Sequence, residues 1–521
     1  MGQAVTAREK LQSINPATGA VLAEYESASA EEVQAAVERG GEAAREWGRL
    51  SVQDRARYLL RMKRVLFDRR EEIAALITRE AGKPLIESLA AEVMVVLDML
   101  EYFARHAQDF LAPRPVPHHN AAMKLKRGRL VYEPYGVIGI ISPSNYPFSI
   151  PLGEVLPALV AGNGVVLKNS ELTPQVGLAI RELLAAAEFP PGVATVLLGD
   201  GATGRALVEA NIQKLVFTGS VATGKKIQAT AAERLLPTVL ELGGKDAMVV
   251  CEDANLEAAS SGAVWGAFTN AGQACLSVER LYAARGIAEE FTRRCVEKAR
   301  QLRVGDGSDP DTDVGPLIRD RQVRIVEVHV ADALSKGARV LCGGKRPSRD
   351  GFFYEPTVLA GVNHRMRIMR EETFGPVLPI MEVRDEEEAI ALANDSEFGL
   401  AASIWTRDAR RGERLARQLE AGAVMINDCI SYFGICEAPH GGVKASGIGR
   451  SHSQLGLLEM VRVKYIDVDL LPRLPKLWWF GYDARAMRLM KGFANFLFAR
   501  GAARRARGLG AVLANLNKRR V

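Results

Sequence analysis

Gly136-Val137-Ile138-Gly139-Ile140-Ile141 is an apolar run without polar alternation. A strand with one face in water alternates, whereas a continuous apolar run suits a strand covered on both faces. Val165-Val166-Leu167, Val193 to Leu198, Leu215-Val216-Phe217 and Ala247 to Val250 repeat the pattern. Helix-period stretches near 151–161, 174–188, 202–210 and 223–232 separate these runs. Such strand–helix alternation predicts a doubly wound, parallel α/β sheet.

Upstream, Ser29-Ala30-Glu31-Glu32 opens a helical region that extends to about residue 110. Three prolines within 111–118 end it, and Lys124 to Pro134 alternates as a partly exposed strand does. Downstream, a second alternating region runs from 253 to about 460. Its strands are expected at 279–284, 339–342, 356–359, 377–382, 402–405 and 422–426, and its helices at 255–269, 287–301, 318–336, 385–394 and 408–419. Val463 to Val468 alternates again.

The 521 residues exceed one ordinary domain, and 48% hydrophobic with 25% charged residues is a globular composition. No apolar run is long enough to span a bilayer, and the N-terminus has no secretory apolar segment. The six cysteines are scattered without CxxC or Cys/His clusters, so neither a disulfide framework nor a metal site is expected. A reducing, cytoplasmic setting fits. The net charge of +6 is misleading. Residues 471–521 carry 12 Lys/Arg against one acid, leaving 56 against 61 in the remainder. The body therefore has no nucleic-acid signature.

Several loops carry chemistry. Cys275 lies in Thr269-Asn270-Ala271-Gly272-Gln273-Ala274-Cys275, and Glu241 precedes a Gly243-Gly244 pair. A thiol is a good nucleophile and a carboxylate can activate water, although a lone Cys is equally a small core residue. Gly219-Ser220-Val221-Ala222-Thr223-Gly224-Lys225 follows a strand and opens a helix, a setting for a phosphate. It almost matches a P-loop, but Lys226 stands where a magnesium-binding hydroxyl belongs. Pro143-Ser144-Asn145-Tyr146-Pro147 offers an amide at a strand's carboxyl end, and Glu371-Glu372-Thr373-Phe374 a carboxylate near an aromatic ring. Each is also an ordinary turn.

Taken in order, PSNYP (143–147), KNSE (168–171), FTGS with Gly224 (217–224), ELGGK (241–245), GQAC (272–275), EETFGP (371–376) and PHGGVKASGIGR (439–450) resemble the aldehyde dehydrogenase superfamily, of the NAD(P)-dependent, thioester-hydrolysing type. The likeness covers roughly 12–470. It implies a Rossmann-like cofactor domain (1–115 and 135–246), a catalytic domain (247–460) and strands near 116–134 and 461–470 that build a homodimer or homotetramer.

The resemblance implies that Cys275 attacks the aldehyde, Asn145 and the Cys275 N–H hold the oxyanion, and Glu241 activates the hydrolytic water. It places Lys168 and Glu171 at the adenine ribose, Ser220 at the pyrophosphate, Glu372 at the nicotinamide ribose and Phe374 beside the ring. Gly219, Gly224, Leu242 and Ser144 belong to the same surroundings. Glu171 favours NAD, while Lys168 leaves NADP open. The sequence departs from the pattern at Ser144, His440 and Ser451, where Trp, Phe and Glu are usual. Phe148, Tyr432, Phe433 and His440 suggest an apolar tunnel with room at Gly153, where many succinate-semialdehyde members carry Arg. An apolar aldehyde is therefore expected. Succinate semialdehyde, a non-catalytic membrane-surface scaffold and a cofactor-free thiol esterase are the alternatives.

The tail combines Leu477-Trp478-Trp479-Phe480-Gly481-Tyr482 with a helical stripe of Ala486, Leu489, Met490, Phe493, Phe496 and Leu497, with Arg485, Arg488 and Lys491 elsewhere. A basic, apolar-striped helix fits an anionic membrane surface, and docking onto a partner copy is the other reading.

Overall fold

A computed structural model describes residues 10–120, 123–473, 476 and 478–516. Leu477 of the aromatic cluster falls outside these residues. The chain forms two compact units, 1–112 with 132–463 and 113–131 with 464–521.

The first unit is α/β and contains two main sheets. The apolar runs form parallel strands Val137–Ile141, Gly164–Lys168, Ala194–Leu197, Lys214–Thr218 and Thr238–Glu241. Val137–Ile141 and Gly164–Lys168 are buried throughout, which explains their unbroken apolar sequence. A sixth, antiparallel strand, Gly447–Ile448, joins the edge beside Thr238–Glu241. This pairing brings the sequence after His440 to the end of the strand that carries Glu241. Two residues are too few for a periodic signal, so nothing in the local pattern announces this strand.

The second sheet orders its strands as Arg339–Cys342, Thr357–Ala360, Val377–Val383, Val278–Ala284, Asp246–Val250, Ala401–Trp405 and Ala423–Ile426. Its strands start and end within two residues of the expected positions, as do most helices. The Lys10–Ile14/Val21–Glu26 hairpin is not apparent from sequence, because both strands are short and only Leu11 and Ser13 in them are buried. It is tied down by Ser13, whose hydroxyl donates to the buried Glu80 carboxylate at 2.5 Å.

Asn163 links distant parts of the unit. Its Oδ1 accepts from the Tyr135 and Gly136 N–H groups at 2.7 and 3.2 Å. Its Nδ2 donates to the Ala158 and Met460 carbonyls at 3.0 and 2.8 Å. The side chain is fully buried. These four bonds fix the turn leading into the central strand Val137–Ile141.

The second unit holds a three-stranded sheet in the order Val461–Asp469, Lys126–Pro134, Arg114–Val116, together with two helices, Ala484–Phe498 and Ala502–Leu516. No helix among the described residues is long and apolar enough to cross a membrane.

Asn163→Ala leaves two backbone N–H groups and two backbone carbonyls without these partners. Urea unfolding is expected to show a loss of about 3 kcal/mol or more; a midpoint equal to wild type would contradict the role given to this side chain.

Candidate active site

The carboxyl ends of the first sheet's strands meet the loops that precede the second sheet's central strands. A cleft of about 570 Å³ lies there, lined by Asn145, Ser220, Glu241, Gly243, Gln273, Cys275, Glu372 and Phe374, among others. It shares Pro143, Ser144, Leu172, Thr218, Gly219, Ser220, Thr223 and Arg319 with an adjoining cavity of about 630 Å³ that reaches Lys168 and Glu171. The two cavities form one groove at the position where open α/β sheets bind ligands.

The nucleophile loop is held from several sides. Asn270 and Ala271 have φ of 49° and 53°, a left-handed conformation costly for alanine. Glu87 restrains this turn by accepting from the Thr269 hydroxyl at 2.7 Å and the Asn270 N–H at 2.9 Å. Gly272 (φ +74°) must be glycine, since a Cβ there would stand 2.3 Å from the Gly375 carbonyl. Asn270 Nδ2 donates to the Asn145 carbonyl at 3.0 Å, and Asn145 Nδ2 donates to the Gln273 carbonyl at 3.1 Å. The amide and thiol loops are thereby fixed together.

Two buried ion pairs anchor this assembly. Lys83 Nζ donates to Glu92 at 2.6 Å and to the Asn145 carbonyl at 2.7 Å. The other Glu92 oxygen accepts from the Phe148 and Ser149 N–H groups at 3.0 and 2.8 Å. Glu92 lies in a π-helical segment, Ser88–Met94, an irregularity frequent at functional sites. On the other side, Lys245 Nζ donates to Glu279 at 2.6 Å and to the Thr373 hydroxyl at 3.0 Å. Glu279 also accepts from the N–H groups of Thr373 and Phe374, the latter at 2.7 Å, and Phe374 itself has φ of 52°. Sequence reading missed the roles of Lys83, Glu87, Glu92, Lys245 and Glu279. Lys245 ends the ELGGK segment but its pairing with Glu279 is not visible there, and the other four lie in no motif; only the fold brings them to the loops.

The electrostatics favour neutral resting groups. Burial pushes the Cys275 thiol well above its ordinary value, and Asp246, Glu372 and Glu241 add to the effect. Burial likewise raises the Glu241 carboxyl well above the ordinary range, with Glu154 nearby as a second cause. Glu372 is raised to about 8 by burial and by Glu279. Glu241 Oε2 and Asn145 Oδ1 are buried without a hydrogen-bond partner. Unsatisfied polar atoms lining a cleft are what a ligand-binding site leaves open.

The groove's walls suit a dinucleotide. Ser220 caps the helix Val221–Glu233, its hydroxyl accepting from the Thr223 N–H, so the helix's positive end faces the cleft. Gly224 packs on Leu242, whose Cδ2 would lie 2.6 Å from a Cβ at that position. Glu171 pairs with Lys168 at 3.0 Å. Arg205, Lys226 and Arg319 line the same cavity, cations that the motif reading did not assign to it.

The opposite end differs from expectation in two respects. Phe148 has no exposed surface and belongs to the core rather than to a channel. Gly153 offers no room, because a Cβ there would stand 3.0 Å from His452 Nε2. His452 and Ser453 take left-handed φ of 56° and 55°, so this position was not predictable from helical or strand periodicity. Phe433 packs tilted against His452 and edge-on against His440, with centroids 4.7 and 5.4 Å away, and lies 6.4 Å from Tyr146. The Tyr432 hydroxyl is 2.9 Å from His440 Nδ1, and His440 Nε2 is 3.7 Å from Glu241 Oε2. Burial lowers His440 to about 4 and His452 to about 3, so both rings are neutral near pH 7. Ser451, standing where an acid is usual, donates to the buried Glu154 carboxylate and lies 3.5 Å from Glu241 Oε1.

Comparison with known proteins agrees with this geometry. The model of the aldehyde dehydrogenase family matches residues 4–466. The chain belongs to the aldehyde dehydrogenase family. It is 40% identical over 490 residues to a 4,4'-diapolycopene aldehyde oxidase of Methylomonas sp., covering 94% of this chain and 91% of that one. It is 38% identical to the NADP(+) succinate-semialdehyde dehydrogenase of Escherichia coli K12, covering 89% and 95%. Among solved structures, the betaine aldehyde dehydrogenase of Staphylococcus aureus in complex with NAD+ superposes with a TM-score of 0.86 at 32% identity, covering 91% and 96%. As an aldehyde dehydrogenase, the enzyme uses NAD or NADP.

Ser451→Ala removes a donor that lowers both Glu241 and Glu154. Any rate limb that depends on the Glu241 carboxylate is then expected to move to higher pH, measured as the acid limb of kcat. An unmoved limb would show that Ser451 does not tune this carboxyl.

Proposed function

We propose that this enzyme oxidises an apolar aldehyde to its carboxylic acid, with Cys275 as nucleophile, Glu241 as general base and Asn145 as oxyanion donor. The observation that carries the reading is the convergence of these three side chains on one cleft whose groove continues to the helix capped by Ser220.

The Cys275 sulfur bonds to the carbonyl carbon as its thiol proton passes to solvent, and the thiolate freed at the end of the cycle regains a proton from Glu241. The carbonyl oxygen becomes an alkoxide, held by the Asn145 amide and the Cys275 N–H. When bound, NAD(P)+ would accept the hydride from that carbon, and the group left on Cys275 would be a thioester. Glu241 takes a proton from water, the water oxygen bonds to the thioester carbon, and the carbon–sulfur bond breaks to release the acid. Raised basicity suits Glu241 to this step, since a carboxylate whose conjugate acid is weak removes a proton more readily.

In this reading the first sheet, within 1–115 and 135–246, carries the cofactor, and the 247–460 region carries the nucleophile. Glu372 and Phe374 take the nicotinamide end, Lys168 and Glu171 the adenine ribose. The Lys168–Glu171 pair and the neighbouring Arg205, Lys226 and Arg319 lessen the repulsion of a 2′-phosphate, so NADP joins NAD as a candidate. The sheet of the second unit is proposed as the surface for a homodimer or homotetramer, with Tyr465 and Ile466 exposed on it.

Three observations support an apolar aldehyde. Gly153 and its neighbour His452 bring no positive charge near pH 7. Arg450, a cation that acts on Glu241, donates to the Gly442 and Gly449 carbonyls. A relative at 40% identity is named a 4,4'-diapolycopene aldehyde oxidase. Succinate semialdehyde remains the second reading because of the relatives named for it.

NADH or NADPH formation from octanal, hexadecanal and succinate semialdehyde tests this. The wild type is expected to give a kcat/KM for octanal at least about tenfold above that for succinate semialdehyde, and Cys275→Ala to lose about a thousandfold or more. The reverse order of substrates would overturn the apolar assignment, and an active Cys275→Ala would overturn the nucleophile.

A further inference from the structure

The catalytic reading leaves the tail unused. Residues 484–498 and 502–516 form two helices that meet at glycines. A Cβ at Gly492 would stand 3.1 Å from the Gly508 carbonyl, and one at Gly508 would stand 2.4 Å from the Phe496 N. The backbones therefore approach closely, and the tail is a helical hairpin rather than a single amphipathic helix.

This corrects the expected stripe. Ala486 and Leu489 are buried, and at three-residue spacing they share the face of Gly492, which packs on the second helix. That face is occupied. The apolar surface left outside is different: Trp479, Phe480, Tyr482, Met487, Phe498 and Leu513, of which Phe480 is 88% and Phe498 74% exposed. Met487 and Lys491 are four residues apart on one helix, as are Arg505, Leu509 and Leu513 on the other, so cations and apolar side chains share outward faces. The single acid of 471–521, Asp483, accepts from the Arg485 and Ala486 N–H groups and caps the first helix.

We propose that this hairpin, with the preceding aromatic segment, docks the enzyme on an anionic lipid bilayer. Large exposed apolar side chains among cations match the interface of such a membrane, where apolar groups enter the headgroup–acyl boundary and Lys/Arg meet anionic headgroups. Charge complementarity selects this occupant over a second copy, since two tails of net +11 would repel. Exposed aromatic and aliphatic side chains together favour lipid over nucleic acid, for which cations alone would serve. The inference does not depend on which aldehyde is oxidised.

Full-length enzyme is sedimented with phosphatidylcholine vesicles containing about one-third phosphatidylserine, and with phosphatidylcholine alone. Binding to the anionic vesicles only, weakened by ~0.5 M salt, is expected. Two variants of the full chain are compared, Arg488→Glu/Lys491→Glu and Phe480→Ser/Met487→Ser/Phe498→Ser. Each should lower the bound fraction at least about tenfold while leaving turnover of a water-soluble aldehyde unchanged, which also reports folding. Equal binding by both variants and wild type would overturn the proposal. So would a change of oligomeric mass in the variants with vesicle binding unaltered, or retention of the wild type by RNA or DNA but not by vesicles.

Discussion

Lys83 and Glu92 form an ion pair with no exposed side-chain surface, and the site is built on it. Burying two charges costs several kcal/mol per ion, which their mutual attraction repays only when the remaining hydrogen-bonding capacity is also used. Here that capacity goes to the backbone of 145–149, the loop that presents the Asn145 amide. Lys245 and Glu279 repeat the arrangement on the cofactor side, where Glu279 holds the backbone of Thr373 and Phe374. Two irregular loops are thus fixed by charges that have nowhere else to bond. The strain at Ala271 and Phe374 persists because these neighbours over-determine it.

The same dryness shapes the chemistry. Three carboxyls, Glu241, Glu372 and Asp246, surround a single thiol, and each raises the cost of charging it. A site of this kind rests neutral and gains basic power at Glu241. The usual acid after the GxGR segment is absent at Ser451, yet Glu154 brings a carboxyl to the same place and shares the Ser451 hydroxyl with Glu241. The departure from the family pattern leaves a carboxyl beside position 451, one that burial raises to about 7.

Much of this was legible in the sequence. Continuous apolar runs such as Val137–Ile141 identify strands buried on both faces, and the motif order identifies Cys275, Glu241 and Asn145, which the fold gathers in one cleft. What escaped has a common cause: it depends on contacts between segments far apart. The strand Gly447–Ile448 is too short for a period, and Glu92 and Glu279 lie in helix and strand patterns where a buried acid looks like a solvated one. Space at Gly153 was inferred from a missing side chain, but His452 fills it from 299 positions away. The tail's stripe was expected to face outward, yet Ala486 and Leu489 are buried on the face where Gly492 meets the second helix.

The central claim is that the buried pairs position the reacting groups beyond holding the fold together. The direct measurement uses Lys83→Met/Glu92→Leu, which replaces the pair by apolar side chains of similar reach and spares the protein an unpaired buried charge. Urea unfolding and the pre-steady-state burst of reduced cofactor are followed on the same preparation. Stability within about 1–2 kcal/mol of wild type with a burst rate at least about tenfold slower is the predicted result. A burst at the wild-type rate in that variant would contradict the account.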